Sequence, residues 1–274
     1  MIEGVSWEGP TASSRDCLLE ATAAEPLTCT FGAVESSRTI VLLGDSHADQ
    51  WSTPLVALAE QESWRVVTFL KASCPVADIP AYNFRLRRSW PECEEWRSRA
   101  LAEIVRMRPD AVIVGQFSSS YVSDPSKSLN AGLVAKWEEG LRRSLGTLDD
   151  AGISIILLRD TPVPGRNIKH CLARADWRNY PISDCATPRS LALPAGVVEA
   201  ERDVVASLRG AHFIDLSGEF CDSISCPAVR QETIVYRDSH HLTTAYARRL
   251  LKPLRDALLP IIDHRALRPP ERKY

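Results

Sequence analysis

Ile40-Val41-Leu42-Leu43-Gly44-Asp45-Ser46-His47 is the stretch on which the fold of this chain turns. Four apolar residues in a row suit a strand covered on both faces, because alternate side chains then meet an apolar layer on either side. Gly44 follows where the strand must bend, and a residue without a Cβ relieves crowding in a tight turn. Ser46 thereby stands just past the carboxyl end of a buried strand. Near the other end of the chain lies Asp238-Ser239-His240-His241-Leu242. Between them the two segments hold a hydroxyl, an imidazole and a carboxylate.

Outward from that stretch, strands and helices alternate. The pattern predicts strands over Arg38 to Leu43, Trp64 to Leu70, Ala111 to Val114, Ile153 to Leu158 and Ala211 to Leu216. Helical spacing is expected over 49–61, 91–107, 132–150, 195–209 and about Thr243 to Leu258. Such alternation implies an α/β protein with a parallel sheet, right-handed crossovers and helices on both faces. Sites in these folds lie at the carboxyl ends of the strands, where Ser46 is placed. Residues 1–37 read as an irregular N-terminal extension with a cysteine pair, 38–260 as the catalytic domain, and 261–274 as a polar tail. The stretch 160–194 reads as a long surface excursion near the site.

Composition narrows the function classes. The 274 residues are 45% hydrophobic and 25% charged with a net charge of -2, and no basic block suggests nucleic acid as a partner. No apolar run is long enough to span a bilayer. Met1 to Trp7 lacks the basic and apolar regions of a signal peptide. Eight cysteines fall in four sequence-local pairs in loops, and their simplest pairing is Cys17–Cys29, Cys74–Cys93, Cys171–Cys185 and Cys221–Cys226. Isolated buried thiols and a zinc site are the rival readings. Against zinc, there is no Cys-x-x-Cys knuckle, and no metal is expected. Paired cysteines favour an oxidising compartment, so the chain is expected to be a piece of a longer secreted or membrane protein.

The chemistry rests on activation of a serine. A serine hydroxyl is a poor nucleophile until a neighbouring base takes its proton. Histidine suits that role, and a carboxylate on its second nitrogen fixes the tautomer. Asp238 and His241 are three apart and would share a face in a helical turn, which favours His241 over His240 as the base. The structural alternative is that Asp238 merely caps a helix. Asp45 is expected to hydrogen-bond turn amides. His47, His240 and Arg237 are candidate substrate contacts, and a turn or surface role for His47 stays open. The segment is not Gly-x-Ser-x-Gly, so the α/β-hydrolase elbow does not apply.

Gly44-Asp45-Ser46 near the start and Asp238-x-x-His241 near the end resemble the first and last blocks of the SGNH (GDSL-like) hydrolases. Further likeness lies in Ser73-Cys74-Pro75 with Cys93-Glu94-Glu95-Trp96, in Cys221 to Cys226-Pro227, and in Tyr236-Arg237-Asp238. These resemble the SGNH domains fused behind membrane acyltransferase-3 domains. The resemblance implies a flavodoxin-like three-layer α/β/α sandwich outside the cytoplasmic membrane. It implies Ser46 as nucleophile, His241 as general base and acid, and Asp238 as its orienting carboxylate. It further implies an acyl group, commonly acetyl, delivered by the membrane domain and passed to a sugar hydroxyl, with no cofactor. A free esterase with the same triad and a silent glycan-binding domain are the alternatives. One departure stands out: the second block, Lys71-Ala72-Ser73-Cys74, lacks glycine, and Gly115-Gln116-Phe117 lacks the usual asparagine. The expected oxyanion donors are therefore the Ser46 amide, the Ser73 or Ala72 amide, and the Gln116 side chain.

Overall fold

The computed structural model describes residues 8–122 and 130–266, with side chains as far as 263. Six strands form one sheet: β1 (Thr28–Gly32), β2 (Thr39–Gly44), β3 (Arg65–Leu70), β4 (Ala111–Gly115), β5 (Ser154–Leu158) and β6 (Ala211–Ile214). Their spatial order is β1-β3-β2-β4-β5-β6. All neighbours run parallel except β1, which pairs antiparallel with β3. The main helices are α1 (Ser46–Gln61), α2 (Pro91–Met107), α3 (Ala131–Asp150), α4 (Ile168–Arg178), α5 (Ala195–Ala206), α6 (Thr244–Arg249) and α7 (Leu251–Ala266), with short helical turns at Ser118–Val122 and Arg189–Ala192.

Alternation along β2 explains the opening apolar run. Ile40 and Leu42 point into a layer with Trp51, Leu55 and Leu58 of α1 and Leu254 and Leu258 of α7. Val41 and Leu43 point into the opposite layer, with Trp96 and Ile104 of α2, Leu141 and Leu145 of α3 and Val204 of α5. Each such side chain contributes about 1.5–3 kcal/mol on burial. The result is a three-layer α/β/α sandwich with β2 near its middle.

The N-terminal segment departs from the expected irregular extension. Residues 28–32 are an edge strand, and the segment before it is tied to α1. Ala12 N donates to Ser52 Oγ at 2.9 Å and Thr11 N to Thr53 Oγ1 at 3.1 Å. Buried Lys71 donates to the carbonyls of Glu20 and Ala23, both at 2.6 Å. A buried ammonium needs such acceptors, and here they hold the segment against the sheet. Residues 1–7 of that extension lie outside the described residues. The last helix also outruns its expected end at Leu258, continuing through Pro260 to Ala266. Of the expected polar tail, 267–274 lie outside the described residues.

Four disulfides join Cys17 to Cys29, Cys74 to Cys93, Cys171 to Cys185 and Cys221 to Cys226. Each restrains the unfolded chain, a contribution of about 2–4 kcal/mol in the chain-entropy account. The excursion 160–194 is more ordered than its composition suggests, with α4 stapled by Cys171–Cys185. Ile168 N at its start donates to Asp238 O at 3.0 Å, so it braces the loop that carries the Asp-x-x-His pair.

Candidate active site

The turn after β2 cannot carry any residue but glycine at position 44. Gly44 has φ +150°, and a Cβ there would lie 1.8 Å from Gly115 O on β4. The chain then enters α1 at once. Asp45 is the N-cap, accepting from His47 N at 2.7 Å, and its other oxygen accepts from Phe117 N at 2.9 Å and Tyr121 Oη at 2.5 Å. Burial pushes the Asp45 carboxyl upward, and these contacts offset part of that rise. The turn therefore clamps the loop after β4 to the start of α1, as well as binding its own amide. Ser46 is the first residue of α1, so its N–H has no helical carbonyl to meet and lies at the positive end of the helix dipole.

Opposite Ser46 is the loop 236–243, closed by a bridge between Tyr236 and Leu242. His241 Nε2 lies 2.9 Å from Ser46 Oγ, and His241 Nδ1 lies 2.7 Å from Asp238 Oδ2. The pair is not helical, contrary to the spacing argument, and Asp238 is not a helix cap. Thr243 caps α6 instead, accepting from Tyr246 N at 3.1 Å. Asp238 Oδ1 accepts from the amides of His240 at 2.9 Å and His241 at 2.8 Å, a turn that aims the carboxylate at the imidazole. Partial burial alone would raise Asp238. The His241 side chain and the two amides more than reverse this, holding the carboxyl below the usual carboxylate range. Leu242 N donates to Gln50 Oε1 at 2.9 Å, which locks the loop to α1.

Of the remaining expected site residues, His47, His240 and Arg237 gather beside His241 and Asp238, and Ser73 and Gln116 are placed differently. His47 is 1% exposed, so it is not a surface residue; its ring lies against Phe117 and both its nitrogens are engaged by Asp160 and His240. His240 is partly exposed and lies beside His241, with ring centroids 3.9 Å apart. Arg237 Nε is 3.9 Å from Asp238 Oδ2. Ser73 is exposed with φ +59°, a left-handed conformation that glycine favours. The second block thus lacks the glycine but keeps the backbone conformation that a glycine would serve. Gln116 turns toward the 74–76 loop instead. Its Oε1 accepts from Val76 N at 3.0 Å, and its Nε2 is sealed from solvent with no partner among the described residues.

Two residues that sequence reasoning passed over complete the surroundings. Asp160 lies just beyond β5, with Oδ1 2.6 Å from His47 Nδ1. Phe117 stacks on His47 at 4.2 Å and on His240 at 4.6 Å. The signal for Asp160 was its place two residues past a strand's carboxyl end, at the same edge of the parallel sheet as Ser46.

A family model described as the SGNH domain (fused to AT3 domains) matches residues 16–256. The chain belongs to this family. The SGNH domain is also similar to solved structures. The periplasmic domain of a lipopolysaccharide acetyltransferase from Salmonella ser. Paratyphi A superposes with a TM-score of 0.62 at 15% identity, covering 83% of this chain and 86% of that one. A GDSL-like lipase from Bacteroides thetaiotaomicron has a TM-score of 0.47 at 9% identity, covering 81% and 88%. An acetylxylan esterase from Geobacillus stearothermophilus has 0.45 at 14%, covering 84% and 96%. No curated protein matches the chain significantly. The family model together with the three-layer sheet-and-helix architecture makes the expected fold class the observed one, the SGNH hydrolase fold. Among the described residues no helix is long and apolar enough to cross a membrane.

Proposed function

We propose that this SGNH domain is an extracytoplasmic O-acyltransferase that passes an acyl group, acetyl in the first instance, through Ser46 to a hydroxyl of a cell-surface glycan or glycolipid. The observation that carries the reading is the continuous chain Ser46–His241–Asp238, with both links below 3 Å. Ser46 Oγ attacks the acyl carbonyl while His241 Nε2 takes its proton. That proton passes to the leaving group of the donor as the acyl-serine forms. An acceptor hydroxyl then attacks the acyl-serine, His241 takes the hydroxyl proton, and it returns to Ser46 Oγ as the serine is freed. Asp238 keeps His241 in the tautomer that accepts at Nε2 and stabilises the imidazolium. The oxyanion is met by the Ser46 amide at the positive end of α1, with the Ser73 amide as second donor.

The family's fusion to AT3 domains supports a membrane acyltransferase domain as the source of the acyl group. Four disulfides with no free cysteine among the described residues support a site outside the cytoplasm. Acetylation of Ser46 is the decisive test. Brief incubation with p-nitrophenyl acetate, acid quench and peptide mass spectrometry should find the acetyl group on Ser46, and Ser46→Ala should abolish both the adduct and nitrophenol release. Turnover that survives Ser46→Ala would sink the reading. Free acid as sole product with every glycan offered would favour an esterase in its place.

A further inference from the structure

Behind the Ser46–His241–Asp238 chain runs a second one. Asp160 Oδ1 is 2.6 Å from His47 Nδ1, and His47 Nε2 is 2.9 Å from His240 Nδ1. The rings of His47, Phe117 and His240 lie nearly parallel, with interplanar angles of 6° and 19°, so the stack fixes how both imidazoles are turned. His240 Nε2 is left over. It makes no hydrogen bond to a described residue, and His240 is partly exposed beside His241.

The direction of the hydrogen bonds follows from Asp160. Among the described residues no lysine or arginine pairs with it: the neighbouring Arg159 is turned to Asp215 at 2.7 Å. Its Oδ1 accepts from Thr161 N at 2.7 Å, while Oδ2 is buried with no hydrogen bond to a described residue; the nearby Ser118 N–H, which favours the charged form, is already donated to Gln116 O at 2.9 Å. A carboxylate so placed would leave half its charge unsolvated, whereas a carboxylic acid leaves only a carbonyl oxygen unpaired. Burial accordingly pushes Asp160 well above the ordinary carboxylate range, and it drives His47 down to about 4 and His240 to about 3. With every member neutral, Asp160 O–H donates to His47 Nδ1, His47 Nε2–H donates to His240 Nδ1, and His240 keeps its remaining proton on Nε2.

We infer that His240 is an acceptor-positioning residue, whose Nε2–H, fixed as a donor by Asp160 and His47, binds an oxygen of a vicinal diol on the incoming sugar. The inference rests on the acyl-serine reading above. An acceptor hydroxyl must reach His241 Nε2 to be deprotonated, so the acceptor arrives on the side of the acyl-serine where His240 lies. A neutral, weakly basic imidazole there can hold a neighbouring hydroxyl without competing with His241 for the proton that moves.

The test compares acyl transfer from p-nitrophenyl acetate to glycerol, a vicinal diol, with transfer to propan-1-ol. The product ratio does not depend on how fast the acyl-serine forms. The intact domain should favour glycerol, and His240→Phe, which keeps the stack on Phe117 but removes the N–H, should lower the preference about 3- to 10-fold, the worth of one neutral hydrogen bond. An unchanged ratio, a wild-type protein without the preference, or no transfer to either alcohol would overturn it. In parallel, 15N spectra at pH 7 should place the His240 proton on Nε2, and Asp160→Ala should erase that preference. A proton on Nδ1 would refute the relay's direction even if the variant does not fold. Nitrophenol release that persists in Ser46→Ala would instead defeat the acyl-serine reading itself.

Discussion

Two Asp–His assemblies stand side by side in this domain and are tuned in opposite directions. In the outer one, Asp238 accepts three hydrogen bonds and sits 35% exposed, and its carboxyl is held low and charged. In the inner one, Asp160 has one oxygen without a hydrogen bond and no ion-pair partner among the described residues other than His47, and burial holds its carboxyl well above the ordinary carboxylate range. The residue types are the same, but hydrogen-bond supply and solvent decide the charge. An ionised aspartate makes its histidine a better base, and a protonated one turns a histidine into a directed donor. Ser46 meets the first assembly and not the second.

The comparison is broken most forcefully at the imidazoles. His241→Ala should lower kcat/KM for a small acetyl ester by about 10⁴-fold or more, because a triad that loses its base keeps little beyond binding and oxyanion stabilisation. His240→Ala should lower it by less than about 10-fold, in line with the loss of one neutral contact. If the two ranked the other way in steady-state kinetics, the choice of base would be wrong.

Asp238→Asn comes next, with an expected loss of about 10²- to 10⁴-fold in kcat, since the amide no longer stabilises the imidazolium or fixes its tautomer. A variant within 3-fold of the parent would mean that Asp238 only shapes the loop.

The last effect is in stability against pH, and its sign differs between the two aspartates. Asp238 is lowered in the folded state, so the stability it adds is present above its unfolded value and is lost as pH falls through the folded one. Asp160 is raised, so the folded protein keeps a proton that the unfolded chain releases above pH ~4. Its contribution then weakens as pH rises, by up to about 1.4 kcal/mol per pH unit, until the folded carboxyl ionises. Asp160→Asn removes that slope. Urea melts from pH 4 to 7 should show the variant gaining on the parent toward neutral pH, and parallel curves would show Asp160 to be ionised.

Much of this was legible along the chain, for a reason that also marks the limit. Ser46 with Gly44, and Asp238 with His241, lie within three residues of each other in sequence, and each local motif carries its own geometry. The buried strand β2 announced itself by its unbroken apolar run. β1 did not, because Thr28–Gly32 is a strand only through its pairing with β3, some forty residues on. Ser73 misled by residue type, since a left-handed φ is a property of the folded turn and not of serine. Gln116 was placed correctly at a strand end, yet which neighbour its amide meets depended on the loop at Val76.

By itself the sequence pointed to the layered fold, to nearest-neighbour cysteine pairing as the simplest of many connectivities, and to Asp238 and His241 as the two partners of Ser46, because periodicity and short motifs are local and survive in one dimension. The tertiary structure alone decided what stands behind them. Asp160, His47 and His240 are separated by 113 and 193 residues along their two links, and their protonation follows from burial and missing partners. Those are properties of a packed interior, where the charge of a side chain is set by what surrounds it.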